Sequence, residues 1–365
     1  MAKITIDNLR HAYISEPSRD EHYALKRVHL DWADGGAYAL LGPSGCGKTT
    51  LLNLISGLLK PSEGRILFND VDVTNDTPEK RNIAQVFQFP VIYDTMTVHD
   101  NLAFPLRNRG VDEAVIKKRV ADIADMLELT ATLHTRASGL TADGKQKISL
   151  GRGLVRDDVN VIMFDEPLTV IDPHLKWQLR SKLKELQQRI KRTMIYVTHD
   201  QTEALTFADQ VVVMNNGEVV QTGTPIELFE KPMHTFVGHF IGSPGMNLLP
   251  CTVKGGQAFV GVTKVMADNA GKAPKTGKLE LGVRPEFVTV AKSGSKTGLE
   301  ATVVRVSDVG RYRVVETRVA ETPVKFIVGE GGAVPEGKVK LAFDPAHTQV
   351  YADGWLAGSR PEYQS

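Results

Sequence analysis

The chain has 365 residues, of which 42% are hydrophobic and 24% charged, and its formal net charge is +1. At ~150 residues per domain this fits two domains and excludes a disordered chain, a collagen-like chain and a small disulfide scaffold. The near-neutral balance argues against a dedicated nucleic-acid binder, and two cysteines, Cys46 and Cys251, cannot build a disulfide framework, which points to a reduced, cytosolic chain. No segment approaches the about 20 apolar residues of a membrane-spanning helix. The N-terminus alternates apolar and polar residues and reads as a strand, not a signal peptide. Contact with a membrane therefore has to go through a partner or a surface.

In chain order, short apolar strands are predicted over 38–41, 161–164, 194–198 and 211–214. Runs of Val, Ile and Met of this length suit a parallel sheet covered on both faces. A helix is expected to begin near Lys48, another over 142–156, and a third over 173–191, where Leu175, Leu179, Leu183, Leu186 and Ile190 recur at helical spacing. From about Met246 glycines and β-branched residues dominate, with period-two alternation over 299–306, 313–319 and 338–343. The expected architecture is an α/β domain over 1–240 and an all-β, barrel-like domain over 241–365.

The strongest motif is Gly42-Pro43-Ser44-Gly45-Cys46-Gly47-Lys48-Thr49, followed by Thr50, set between a strand and a helix. Glycines let the backbone curl so that N–H groups point at phosphate oxygens, and the helix N-terminus adds partial positive charge. Lys48 would reach the β- and γ-phosphates of ATP, and Thr49 would offer its hydroxyl to Mg²⁺. The strand 161–164 delivers Asp165 and Glu166 at its C-terminal end. Ligands of open α/β sheets lie beyond such ends. Asp165 is expected to hold Mg²⁺, and Glu166 to orient or deprotonate the attacking water.

With these residues the chain resembles the ATP-binding subunits of ABC transporters. The resemblance implies that Gln88, in Val86-Phe-Gln-Phe-Pro, senses the γ-phosphate and Mg²⁺. It implies that His199, in Thr198-His-Asp-Gln-Thr-Glu, contacts the γ-phosphate, that Asp172 is the D-loop aspartate, and that Tyr13 stacks on adenine. Tyr93-Asp-Thr-Met-Thr-Val-His-Asp-Asn-Leu-Ala-Phe104 is similar to the region of carbohydrate importers that receives a short helix from a permease. Gly282-Val-Arg-Pro-Glu286 resembles the marker of their C-terminal oligonucleotide-binding-like domain, which the resemblance casts as a regulatory and dimer-contacting unit. The subfamily implied is the type I importers of carbohydrates and polyols, with the paired ATPases of proteobacterial glycerol importers nearest. It brings two permease subunits, a periplasmic or extracellular binding protein and a place on the cytoplasmic face of the inner membrane. No nucleic-acid partner is expected.

The sequence departs from that family where the motif Leu-Ser-Gly-Gly-Gln is expected. Here stand Leu140, Thr141, Ala142, Asp143 and Gly144. In the family this segment caps the nucleotide held by the other subunit. Thr141 keeps a hydroxyl, but Ala142 and Asp143 add side chains where backbone must approach closely. Asp143 also brings negative charge toward a phosphate; two unit charges ~4 Å apart repel by ~4 kcal/mol at an effective dielectric near 20. Lys145 and Lys147 could offset part of this. The expectation is an asymmetric pair in which this chain joins a second ATPase bearing an intact segment. The alternatives are a homodimer in a sugar or glycerol-phosphate importer, and an ABC ATPase without a permease.

Overall fold

Runs of Val, Ile, Leu and Met fully withdrawn from water form the middle of a six-stranded sheet. In the computed structural model, which describes residues 2–291 and 298–359, the strand order is Glu218–Gly223, Gln210–Asn215, Ala37–Leu41, Thr193–Thr198, Val161–Asp165 and Ile83–Val86. The last five are parallel, and the first pairs antiparallel at the edge. All four predicted strands belong to this sheet, each longer by one or two residues. Because the strands run the same way, the segments after Leu41, Val86, Asp165 and Thr198 emerge along one edge.

A second sheet is antiparallel and unannounced beyond its first strand, in the order Leu25–Trp32, Ile4–His11, Glu63–Phe68 and Val71–Asp72. Its inward residues, among them Ile4, Leu25, Trp32 and Ile66, share one core with Leu51, Leu52, Leu54 and Ile55 of the helix Lys48–Ser56. That helix ends at Gly57 in the left-handed conformation (φ 84°), and its last carbonyls need donors. Arg81 supplies them: 1% exposed, it donates to the carbonyls of Leu54 and Ile55 at 2.7 Å and also to those of Asp76 and Thr74.

Three helices, Val98–Arg107, Glu113–Met126 and Ala142–Leu154, form a layer of their own, each started by a side-chain cap from Thr97, Asp112 or Thr141. Gly151 lets two of them approach closely, since a Cβ there would stand 2.4 Å from a methyl of Leu102. The helix predicted over 173–191 runs Pro173–Ile190 and buries Leu179, Leu183 and Leu186.

The chain divides into two compact units, Met1–Pro225 and Ile226–Ser365, so the division falls before the 240/241 boundary expected from texture. The physical reason is Arg284. It is 3% exposed and donates to the carbonyls of Leu228, Phe229, Gly238 and Ile241, with its guanidinium 4.1 Å from the Phe229 ring centre. Tyr351 also donates to Pro232. Residues 226–241 are thereby bound into the C-terminal unit. Its three antiparallel sheets form a nearly closed barrel around Leu249, Leu281, Val283, Val315, Phe326 and Leu341. Burial lowers the Arg284 pKa to about 10. Replacing Arg284 with Met should destabilise this unit by about 3–5 kcal/mol, because buried carbonyls lose their donor. Hydrogen exchange of 226–241 in the full chain checks this: unchanged protection would contradict it.

Candidate active site

The phosphate loop occupies the turn between Ala37–Leu41 and Lys48–Ser56. Gly42 has no room for a side chain, since a Cβ would lie 2.3 Å from the Met214 carbonyl, and Gly47 turns at φ 98°. Lys48 is 5% exposed, and its Nζ donates to the carbonyls of Gly42 and Pro43, both at 2.9 Å. The cation is folded back over its own loop, where phosphate oxygens can take over those bonds. Ser44 and Gly45 are open to solvent, while the Thr50 side chain turns inward.

Thr49 Oγ1 donates to Asp165 Oδ1 at 3.1 Å, joining the loop to the end of the strand Val161–Asp165. Burial pushes the Asp165 carboxyl up, the Thr49 hydrogen bond opposes this, and the neighbouring Glu166 adds to the rise. Glu166 sits in the left-handed region (φ 46°) with its N–H bonded to the Val197 carbonyl at 2.9 Å. A non-glycine residue held there stores backbone strain, a frequent mark of functional positions. Its carboxylate Oε2 lies 3.1 Å from His199 Nδ1. Lys48, Thr49, Asp165, Glu166 and His199 thus meet at the edge where the parallel strands end. A folded-state carboxyl pKa raised above the unfolded value costs stability as pH rises through that interval. Asp165→Asn should therefore raise the melting temperature of the nucleotide-free protein at pH 7 while losing ATPase activity. A lower melting temperature would contradict the burial argument.

Gln88 lies in the bend after Ile83–Val86 and is half-buried. Tyr13 is 65% exposed, its ring edge-on to His11 at 4.8 Å and its hydroxyl 3.0 Å from Thr50 Oγ1. Asp172 caps the helix Pro173–Ile190 through the His174 N–H at 2.9 Å. Among the described residues, no hydrogen bond or ion pair ties Thr141, Ala142, Asp143 or Gly144 to the loop of their own chain. Thr141 Oγ1 accepts the Gly144 N–H at 3.3 Å as an N-cap. Asp143 Oδ2 lies 3.5 Å from Lys147, and its buried Oδ1 has no hydrogen-bond partner among the described residues. Lys145 turns to Asp94 at 2.7 Å, so of the two candidate offsetting cations only Lys147 faces Asp143.

Sequence reasoning passed over two residues. Gln146 is fully buried and donates to the carbonyls of Phe87 and Pro167, tying the segment before Gln88 to the one after Glu166. Glu203 is 5% exposed and bonds Thr198. Only its place four residues after His199 could have signalled it.

Cys46 is 2% exposed, with Sγ 3.9 Å from Lys48 Nζ. Burial pushes its thiol up. Alkylation should be slow at pH 7, faster at higher pH, and blocked by ATP. Once attached, the adduct should abolish ATP binding. Fluorescent-nucleotide titration of the alkylated protein checks this, and normal binding would contradict it.

In the predicted permease-facing region, Tyr93 packs on Phe104 at 4.7 Å; just before it, outside the predicted stretch, Phe89 and Val91 are exposed at 70% and 54%. No helix among the described residues is long and apolar enough to cross a membrane.

The sequence matches the ABC transporter family over residues 25–169, the MalK OB fold domain over 242–288 and the TOBE domain over 281–350. It is 36% identical over 355 residues to the sn-glycerol-3-phosphate import ATP-binding protein UgpC of Jannaschia sp. (strain CCS1), covering 96% of this chain and 98% of that one. It is 41% identical over 350 residues to UgpC 3 of Agrobacterium fabrum, covering 96% and 93%. Among solved structures, cbiO1 of Clostridium perfringens, part of an ABC transporter complex, superposes with TM-score 0.56 at 28% identity over 62% of this chain and 90% of that one. A dimeric ATP-binding cassette bound to ADP and Pi superposes with TM-score 0.54 at 26% identity over 61% and 98%. With a phosphate loop, a strand-end carboxylate pair and a histidine meeting at one sheet edge, the chain belongs to the ABC transporter family, among the ATP-hydrolysing subunits of import systems that carry MalK OB and TOBE domains.

Proposed function

We propose that this chain hydrolyses ATP on the cytoplasmic face of the inner membrane to drive import of glycerol or a closely related polyol, as one half of an asymmetric ATPase pair. The observation that carries the catalytic reading is the continuous contact from Thr49 through Asp165 and Glu166 to His199 beside Lys48. Lys48 leaves its loop carbonyls for the β- and γ-phosphates, the loop N–H groups hold their oxygens, and Tyr13 covers the adenine. The oxygen donors of Thr49 and Asp165, 3.1 Å apart, suit Mg²⁺, and Gln88 is proposed as a further ligand. Mg²⁺ would supply charge neutralisation on the phosphates there. Asp165 is costly to ionise where it is buried, and a cation at that position relieves the cost. Glu166 accepts the proton of the attacking water, and His199, in contact with that carboxylate, donates to the γ-phosphate.

The glycerol reading draws on the resemblance to the ATPases of glycerol importers, whereas relatives named for sn-glycerol-3-phosphate import, such as that of Jannaschia sp., favour the phosphate ester. The aromatic surface around Tyr93 and Phe89 is the place for a permease helix, and the permeases receive the substrate from a binding protein. Asymmetry rests on Ala142 and Asp143, which stand where phosphate must approach backbone. In such a pair Lys48, Glu166 and His199 of this chain work against the partner's intact segment. A second reading, two copies of this chain, draws on Lys147, whose Nζ 3.5 Å from Asp143 reduces the repulsion.

Tagged purification from native membranes, with stoichiometry by mass spectrometry, tests the assembly. One copy beside one different ATPase and two permeases is expected; two copies of this chain would establish the second reading. Uptake by a deletion strain tests the substrate. Loss of glycerol uptake with glycerol 3-phosphate uptake intact is expected, and the reverse result would assign the phosphate ester.

A further inference from the structure

Glu203 is a carboxylate buried to 5% exposure in the short helix Gln201–Phe207, and among the described residues no hydrogen bond or ion pair joins it to the phosphate loop. Its Oε2 accepts the hydroxyl protons of Thr198 at 2.8 Å and Tyr196 at 3.2 Å. Both donors lie on the strand that ends immediately before His199. Thr198 Oγ1 in turn accepts the backbone N–H of Asp200 at 3.0 Å. The hydrogen bonds therefore run from Asp200 to Thr198 to Glu203 and span the turn on whose apex His199 stands. On the other side, Glu203 Oε1 lies 4.0 Å from Lys176, on the helix that begins after Asp172. Arg180 of the same helix is buried as well.

A buried carboxylate is expensive unless paired and fully hydrogen-bonded. An apolar residue would fill the space under Tyr196 without that expense, so packing alone does not account for an acid here. What an acid adds is a fixed acceptor below Thr198 and an anchor to the next helix. We propose that Glu203 is a positioning residue that sets the His199 turn against the helix following Asp172, so that ATP turnover depends on it although it never touches nucleotide. The inference rests on the reading of His199 as the γ-phosphate contact.

The test is steady-state ATP hydrolysis by the complete complex purified with its permeases, with ATP as the only probe. Glu203→Gln keeps the shape and one acceptor but loses the charge, while Thr198→Val removes the hydroxyl link and keeps the charge. Each should lower kcat about tenfold and leave KM for ATP within about twofold, since displacing a catalytic group by less than 1 Å costs up to about 10²-fold. In a His199→Ala background neither substitution should lower the rate further. Losses that multiply with that of His199→Ala would mean a general structural role and would overturn the proposal. Where Glu203→Gln does not assemble, Thr198→Val decides by itself. Full turnover in His199→Ala overturns the reading of His199 and this inference together. Loss in His199→Ala beside unchanged Glu203→Gln and Thr198→Val overturns this inference alone.

Discussion

Glu166→Gln is expected to lower ATP turnover by about 10²–10⁴-fold, the usual contribution of a general base, and to leave ATP bound. The carboxylate stands at the exit of the strand Val161–Asp165, turned by a left-handed backbone to meet His199 at 3.1 Å. Gln keeps the length and one acceptor, so the turn and the histidine contact survive, but an amide does not take a proton from water. Nothing that holds phosphate is lost, because Lys48 and the loop are untouched. Single-turnover hydrolysis together with nucleotide retention on the purified complex checks both halves. Retained turnover would mean that the base lies elsewhere, and lost ATP binding would mean that Glu166 holds the loop rather than the water.

The second large effect concerns Asp143. Asp143→Gly, alone or with Ala142→Gly, should raise the hydrolysis rate of the site capped by this segment by about tenfold. The unscreened repulsion of ~4 kcal/mol at ~4 Å is reduced by Lys147, 3.5 Å from the carboxylate. A residue of about 1–2 kcal/mol corresponds to about tenfold in rate. The buried Oδ1 without a hydrogen-bond partner among the described residues makes the same point from the side of stability, since removing it removes an unsatisfied group. Glycine in the first helical turn costs only about 0.5–1 kcal/mol, and the Thr141 cap remains. Hydrolysis by the complex with the other site inactivated gives the readout. An unchanged rate would mean that Asp143 is turned away from phosphate throughout the cycle, and that the two-copy assembly has no electrostatic obstacle.

Much of this was legible in the sequence, where chemistry depends on local order. The phosphate loop requires glycines before Lys48 and Thr49, and a fully buried parallel strand requires an unbroken apolar run before Asp165. The chain itself imposes those adjacencies. The four parallel strands read from apolar runs, the helix Pro173–Ile190 and the β-rich C-terminal half followed from periodicity and turn residues. The departure at Ala142 and Asp143 was likewise visible as letters.

Tertiary structure alone decided which distant groups neutralise and satisfy one another. Lys147 rather than Lys145 faces Asp143, because Lys145 finds Asp94, 51 positions away. Arg284 claims carbonyls more than 40 residues earlier, so the units divide after Pro225, although the change in composition lies later. Arg81, Gln146 and Glu203 are ordinary polar residues in sequence and are buried by partners on other elements. Sequence period records which face of an element is apolar, because that is a property of one segment. The pairing of a buried charge is a property of two segments brought within about 3–4 Å, and the low dielectric there makes the choice of partner decisive.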